Sequence, residues 1–205
     1  MNSVFSQAAE SNKNAILEVL REMLIIPQAV LEIGSGTGQH AVFFAEKLPH
    51  ITWQCADQSR YHDVINHRLS AAGLDNLPSP LVLEVETFDW KINNIGSVFS
   101  ANTAHIMSWN AVEAMFCGVG QLLEQAKGNG FFMLYGPFNR NGRYTSPSNR
   151  QFDQILKSRD PQMGIRDDGD LSRLAHQNGL KLFSDIAMPA NNRILVWNKY
   201  KLAEN

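Results

Sequence analysis

Three glycines at alternate positions, Gly34, Gly36 and Gly38, stand in the stretch LEIGSGTGQHA, Leu31 to Ala41, with Glu32 just ahead of them and Asp57 roughly nineteen residues beyond. Glycine at this spacing lets the chain bend sharply and keeps side chains out of a ligand's path. A helix opening near Gly38 would aim unpaired N–H groups at the same place. Ser35 and Thr37 can add hydroxyl contacts. The carboxylate of Glu32 would repel a pyrophosphate yet favour a ligand carrying an ammonium or sulfonium charge. Asp57 lies where an acidic residue receives ribose hydroxyls in nucleotide-binding folds, with capping of the next helix as its alternative. The dinucleotide fingerprint GxGxxG would need glycine where Gln39 stands, which, with Glu32, counts against a nicotinamide-dependent oxidoreductase. The residues themselves point to a positively charged nucleoside.

The elements that must hold this bend are legible in the patterning. Apolar positions from Gln7 to Leu24 recur at helical spacing after Ser6, a plausible cap, and before Pro27. AVLEI then reads as a buried strand, followed by a helix from about Gln39 to Leu48, a strand at ITWQCA, a helix from Tyr61 to Ala72 and a strand at LVLEVE. SVFSAN, a helix from Trp109 to Gln125 and GFFMLYG continue the alternation. Strand and helix in turn predict an α/β fold, a doubly wound and mostly parallel sheet with right-handed crossovers. The glycine bend falls in the first strand-to-helix turn, the usual ligand seat of such sheets. Residues 138 to about 169 are polar and show little periodicity outside Phe152 to Leu156, so they read as a surface excursion that would serve as a lid. A helix from about Asp170 to Asn178 before Gly179, and two strands around PANN that could form a hairpin, complete one domain over 1–205.

The pattern of Glu32, Gly34, Gly36 and Gly38 with Asp57 resembles class I S-adenosylmethionine-dependent methyltransferases. More narrowly, SQAAESNK, LEIGSGTGQHAVFFAEKLPHITWQ, ANTAHIMSW, LYGPFNRNGRYTSPSN, RDPQMGIRD and MPANN are similar to the methyltransferase-like protein 26 family. This chain departs from that family's pattern at Thr103, Ala104 and Ser108. The resemblance implies a Rossmann-like sheet of seven strands with an antiparallel last strand, S-adenosylmethionine as cofactor and S-adenosylhomocysteine as product. It implies that Gly34, Gly36 and Gly38 form the methionine-side loop, with Glu32 and Ser35 as further cofactor contacts, that Asp57 holds the ribose, and that Asp89 and Trp90 lie beside adenine.

Methyl transfer is an in-line displacement, so the protein chiefly orients the acceptor, and a base is needed only where the acceptor carries a proton. Candidates belong at the C-terminal ends of strands four to six. Asn102 could bond cofactor or acceptor, and His105 could take a proton or be structural. Tyr135 could orient an acceptor or be a core tyrosine; Asn191 and Asn192 could face the same rim or simply make the turn. Arg140 and Arg143 lie in an acid-free run that would suit an anionic substrate or a solvated loop. Glu10, Asn12 and Lys13 on the leading helix read as surface residues by pattern, and the resemblance raises them to candidate substrate contacts. The other histidines, His40, His50, His62, His67 and His176, lack metal-ligand spacing and read as solvated or capping, and no metal is expected.

Bulk composition narrows the classes further. With 205 residues, 44% hydrophobic content and a net charge of −2 from 18 basic and 20 acidic residues, the chain can bury one sizeable core. That charge offers no long-range attraction to phosphate backbones or anionic lipid. No apolar run is long enough to span a membrane and MNSVFSQAAESNKN shows no secretory pattern, so a cytoplasmic protein is expected. Cys55 and Cys117 read as reduced core residues. The sequence thus predicts a methyltransferase for a small-molecule oxygen, nitrogen or sulfur acceptor, with a non-catalytic S-adenosylmethionine-binding module as the alternative. It does not define the oligomeric state.

Overall fold

A computed structural model describes residues 5–87, 89–126 and 128–199. The helices are α1 (Gln7–Met23), α2 (Gln39–Lys47), α3 (His62–Ala72), α4 (Trp109–Gln125), α5 (Pro147–Arg159) and α6 (Asp168–Gln177). The strands are β1 (Gln28–Ile33), β2 (Ile51–Asp57), β3 (Leu81–Val82), β4 (Ser97–Ala101), β5 (Phe131–Gly136), β6 (Phe138–Asn139), β7 (Arg166–Asp167), β8 (Leu180–Met188) and β9 (Asn192–Lys199). Seven strands form one sheet in the order β3-β2-β1-β4-β5-β9-β8. The first five are parallel, and β9 runs antiparallel to both β5 and β8. The expected doubly wound, mostly parallel sheet with an antiparallel last strand and a leading helix is therefore present.

Alternation along each strand feeds two apolar layers. Leu31 and Ile33 of β1, Phe132 and Leu134 of β5 and Trp197 of β9 pack with Phe116 and Val119 of α4 and Leu171 of α6. Val30, Trp53, Phe99, Met133 and Val196 enter the opposite layer with Leu20 of α1, Phe44 of α2 and Ile65 of α3. α1 begins as its sequence promises, because the Ser6 hydroxyl accepts from the Ala9 amide. Strand order reverses between β1 and β4, so their C-terminal ends part and leave a crevice above the sheet.

Three sequence expectations are corrected. LVLEVE supplies only the edge strand Leu81–Val82. Past it Leu83 donates to Asp57 O (2.9 Å) and Thr87 to Glu84 O (2.9 Å), so the chain curls into a turn. Val82 is exposed, as the outer face of a sheet edge allows. The polar excursion is not structureless: α5 starts behind the Ser146 cap with Pro147 in its first turn, and β6 pairs with β7. Cys117 is exposed on α4, whereas Cys55 is buried, and both are free thiols.

Candidate functional site

A cavity of about 350 Å3 occupies the crevice above the C-terminal ends of β1, β2 and β4. Its floor is the glycine bend and Asp57; Tyr61, Glu84 and Glu86 form one side, and Asn102, Ile106 and Met107 the other. Gly34, Gly36 and Gly38 all have positive φ, of 76°, 58° and 71°. At Gly34 an added Cβ would meet Thr103 Cγ2 at 2.5 Å, so the close approach of the two loops needs glycine. At Gly36 a Cβ would meet nothing within 4 Å, which leaves that backbone open to the cavity.

The bend is braced from behind, so its amides are less bare than the spacing suggests. Gly34 N and Ser35 N donate to Ala56 O, at 2.9 and 3.3 Å, and Gly38 N donates to Ser35 O at 2.8 Å. Asp57 Oδ2 accepts from Gly36 N (2.6 Å) and Oδ1 from Gln58 N (2.7 Å), which aims the carboxylate at the loop and the cavity. Burial raises the Asp57 pKa, and the two amides and the nearby Arg60 charge oppose that rise. Ser35 is buried and braces the bend, its hydroxyl accepting from Ala56 N and donating to Glu32 O (both 3.2 Å). Gly38 caps α2 against Leu69 and Arg68 and does not line the cavity.

Glu32 departs most from expectation. Its carboxylate is turned into the core, 2% exposed, accepting from Trp53 Nε1 at 3.1 Å, and it does not line the cavity. Burial pushes its pKa up to about 7. His40 Nδ1 lies 4.0 Å from Glu32 Oε1, but burial holds the imidazole down to about 4, so the approach is not an ion pair at neutral pH. The His40 Nε2 proton is donated to Asn12 Oδ1 (2.7 Å), and the same carboxamide bonds the Tyr135 hydroxyl. His40, Asn12 and Tyr135 thus form a buried polar chain on the α1 side of the sheet, with the Glu32–Trp53 pair beside it. The preference for a cation expected of Glu32 falls instead to Asp57, Glu84 and Glu86 at the cavity wall, opposed there by Arg60.

A second, more open cavity of about 350 Å3 adjoins the first, and Asn102 lines both. Its other walls are Pro137 after β5, Ser148, Asn149 and Phe152 of α5, and Ala190, Asn191 and Asn192 of the turn between β8 and β9. Asn102 is left-handed at φ 60°, its backbone amide donating to Tyr135 O (2.9 Å).

The remaining sequence candidates lie outside both cavities. Asp89 is exposed and accepts from Lys91 N (3.0 Å), while Trp90 packs its indole on Gly118 of α4 and donates to Val85 O (3.2 Å). Glu84 to Glu86 line the first cavity instead. Tyr135 belongs to the buried chain described above. His105 is buried behind Phe152, ring to ring at 5.2 Å, its pKa held down to about 4 by burial and then by the Arg166 charge. Arg140 is neutralised by Asp168 and Asp185, and Arg143 turns outward at the bridge to Arg140. Glu10 and Lys13 pair with each other, Lys13 lying 4.9 Å above the Phe43 ring. Among the described residues no group of three or more metal-ligating side chains gathers. No described helix is long and apolar enough to cross a membrane.

A family model described as Protein of unknown function (DUF938) matches residues 3–199. The chain belongs to the DUF938 family. In solved structures this DUF938 chain resembles a putative O-methyltransferase from Nostoc punctiforme, with a TM-score of 0.75 at 15% identity over 91% of this chain and 55% of that one. It also resembles an O-methyltransferase family 2 protein from Planctomyces limnophilus in complex with apigenin (TM-score 0.73, 10% identity, 92% and 62% covered). A third is NcsB1, an O-methyltransferase from neocarzinostatin biosynthesis in complex with S-adenosylmethionine and 2-hydroxy-5-methyl naphthoic acid (TM-score 0.73, 15% identity, 94% and 55% covered). The DUF938 chain spans about half the length of most of these neighbours. At these identities the likeness establishes a shared methyltransferase fold.

Within the DUF938 site, sequence reading passes over several residues. Arg166 donates to Ala104 O (3.0 Å), Gln162 O (2.9 Å) and Met107 O, and Gly164 N donates to His105 O (2.9 Å). The excursion is thereby fastened to the loop that walls the first cavity. GIRD was visible only as a family segment, since nothing local says which carbonyls an arginine will find. Asn149 and Phe152 sit on a helix whose signal, Ser146 followed by Pro147, is present in the sequence.

Proposed function

We propose that this DUF938 member is a methyltransferase that moves the methyl group of S-adenosylmethionine to a small molecule and releases S-adenosylhomocysteine. The observation that carries the reading is the first cavity: an open glycine face at Gly36, a carboxylate at the end of β2 aimed at it, and acidic side chains at the wall, all at the point where strand order reverses. Its volume is that of a small-ligand site. The acidic surplus suits a cationic nucleoside and disfavours a pyrophosphate.

When bound, the cofactor supplies an electrophilic methyl carbon on a sulfonium; the carbon–sulfur bond breaks, its electron pair stays on sulfur, and the acceptor's lone pair forms the new bond. The chain's own residues do the holding. Asp57 has two amide partners and lone pairs left for ribose hydroxyls. Gly36 lets the ligand approach the backbone, and Asn102 stands between the cofactor cavity and its neighbour. Because burial makes His105 a weak base, its pKa held down to about 4, and Phe152 stands between it and the second cavity, the acceptor's proton, where it has one, passes to water. The excursion, fastened through Arg166 to the loop beside the first cavity, serves as a lid within one domain. A cytoplasmic setting and the narrower kinship with methyltransferase-like protein 26 belong to the same proposal, the latter on the segments quoted above.

Titration calorimetry tests the reading. S-adenosylhomocysteine should bind, and Asp57→Ala should weaken it about 10- to 100-fold, the effect of losing one or two charge-assisted bonds. Gly36→Val should abolish binding, since it adds a side chain to the cavity at a φ of 58°. Wild-type affinity in both variants would defeat the site, and thermal protection by NADH would favour an oxidoreductase. Binding without transfer to any acceptor would leave the non-catalytic module.

A further inference from the structure

We propose that the second cavity is the acceptor site and that it selects an uncharged, planar, oxygen-bearing molecule; this rests on the methyltransferase reading for its role, though not for its binding chemistry. The described walls of that cavity carry no ionisable side chain. Carboxamides dominate instead: Asn102, Asn149, Asn191 and Asn192 surround the ring of Phe152. Asn149 spends its Nδ2 donors on Asn191 O and Thr145 Oγ1, and Asn192 on Pro189 O and Ala190 O, which leaves their uncharged oxygens as acceptors; Asn102 keeps donor and acceptor alike, and the aromatic ring offers a flat apolar face. A carboxylate or an ammonium placed there would shed water and find no countercharge.

The walls are constrained rather than incidental. Asn102, Ala190 and Asn191 hold left-handed backbone at φ 60°, 57° and 58°, and alanine has no local hydrogen bond to offset the cost. Asn149, 5% exposed, secures the turn by donating from Nδ2 to Asn191 O (3.2 Å) and Thr145 Oγ1 (2.9 Å). His105 fixes Phe152 from behind, the rings inclined at 73°. The cavity also opens on the first turn of α5, but Pro147 has no N–H there and Asn149 N already donates to the Ser146 hydroxyl (3.1 Å), so that helix end has little left to hold an anion. The Asn102 carboxamide makes no hydrogen bond to any described residue, although it lines both cavities, so it is available to a ligand at their junction.

Benzamide, benzoate and benzylammonium are nearly the same shape and differ in charge, so ligand-observed NMR with the full chain tests the selection. Benzamide should bind at least about ten-fold more tightly than either ion, and Phe152→Leu should reduce that binding about ten-fold. Asn191→Gly, which relaxes the turn, should also weaken it. S-adenosylhomocysteine affinity should be unchanged in both variants. Equal or tighter binding of either ion, benzamide binding indifferent to both substitutions, or no binding of any probe would overturn the proposal. Failure of S-adenosylhomocysteine to bind the wild-type chain would instead sink the methyltransferase reading while leaving the probe result intact.

Discussion

Replacing Glu32 by Gln removes a buried charge while retaining an oxygen for Trp53 Nε1, which makes it a clean test of the core beneath the glycine bend. In the folded chain burial raises the Glu32 pKa from 4.5 to about 7. Between these values the native state holds a proton that the unfolded chain has released, so this group's contribution to stability falls as pH rises through that window and is flat above it. The rise amounts to about 3 kcal/mol. Glu32→Gln should therefore be more stable than wild type by about 3 kcal/mol at about pH 9, and the two should agree within about 1 kcal/mol at about pH 5. His40 and His105, held down to about 4, act in the opposite sense: their contribution is complete above 6.5 and is lost as pH falls. They titrate in both proteins, and at acidic pH the protonated carboxyl and the amide present similar neighbours to His40, so the difference isolates Glu32. Urea unfolding reads it directly, with a midpoint shift of about 1.5 M for a slope of about 2 kcal/mol per M. A pH-independent difference, or a variant less stable than wild type at alkaline pH, would refute the argument that desolvation governs this carboxyl.

Two further outcomes follow from the packing. Arg166→Met leaves the carbonyls of Ala104 and Gln162 without their donor, so it should cost about 2 kcal/mol in urea unfolding and weaken S-adenosylhomocysteine about ten-fold in calorimetry, with Arg166→Lys recovering part of both. Trp197 is fully buried and its Nε1 has no acceptor among the described residues, so Trp197→Phe should lie within about 1 kcal/mol of wild type by thermal unfolding, against about 3–5 kcal/mol lost for Trp197→Ala.

Elements whose own periodicity decides them were legible before any coordinates: α4 begins and ends where its apolar spacing does, and the bend at Gly34 to Gly38 sits in the first strand-to-helix turn. What escaped the sequence was partnership at a distance. Arg140 suits either an anionic substrate or a solvated loop by its acid-free neighbourhood in sequence, and only the fold brings Asp168 and Asp185 against it. Asn12, His40 and Tyr135 lie on three separate elements, and only docking α1 against α2 joins them. LVLEVE is as apolar as a core strand, yet its place at the sheet edge leaves most of it unpaired and free to turn beneath the cavity. Within the excursion only Phe152 to Leu156 show a helical period in sequence, because α5 buries few residues and its polar faces mask the rest of it.

The position of β9 between β5 and β8 has a consequence for how the protein is made. Trp197 fills the layer against Phe116 and Phe132, so the heart of the sheet is closed by a strand that follows β5 only after α5, α6 and β8. On the ribosome, β1 through β5 can assemble in order, but they stay sealed on one flank only. Until residues up to 199 have cleared the exit tunnel, the open side of β5 offers an unpaired edge, the stage at which a chaperone would have most to protect.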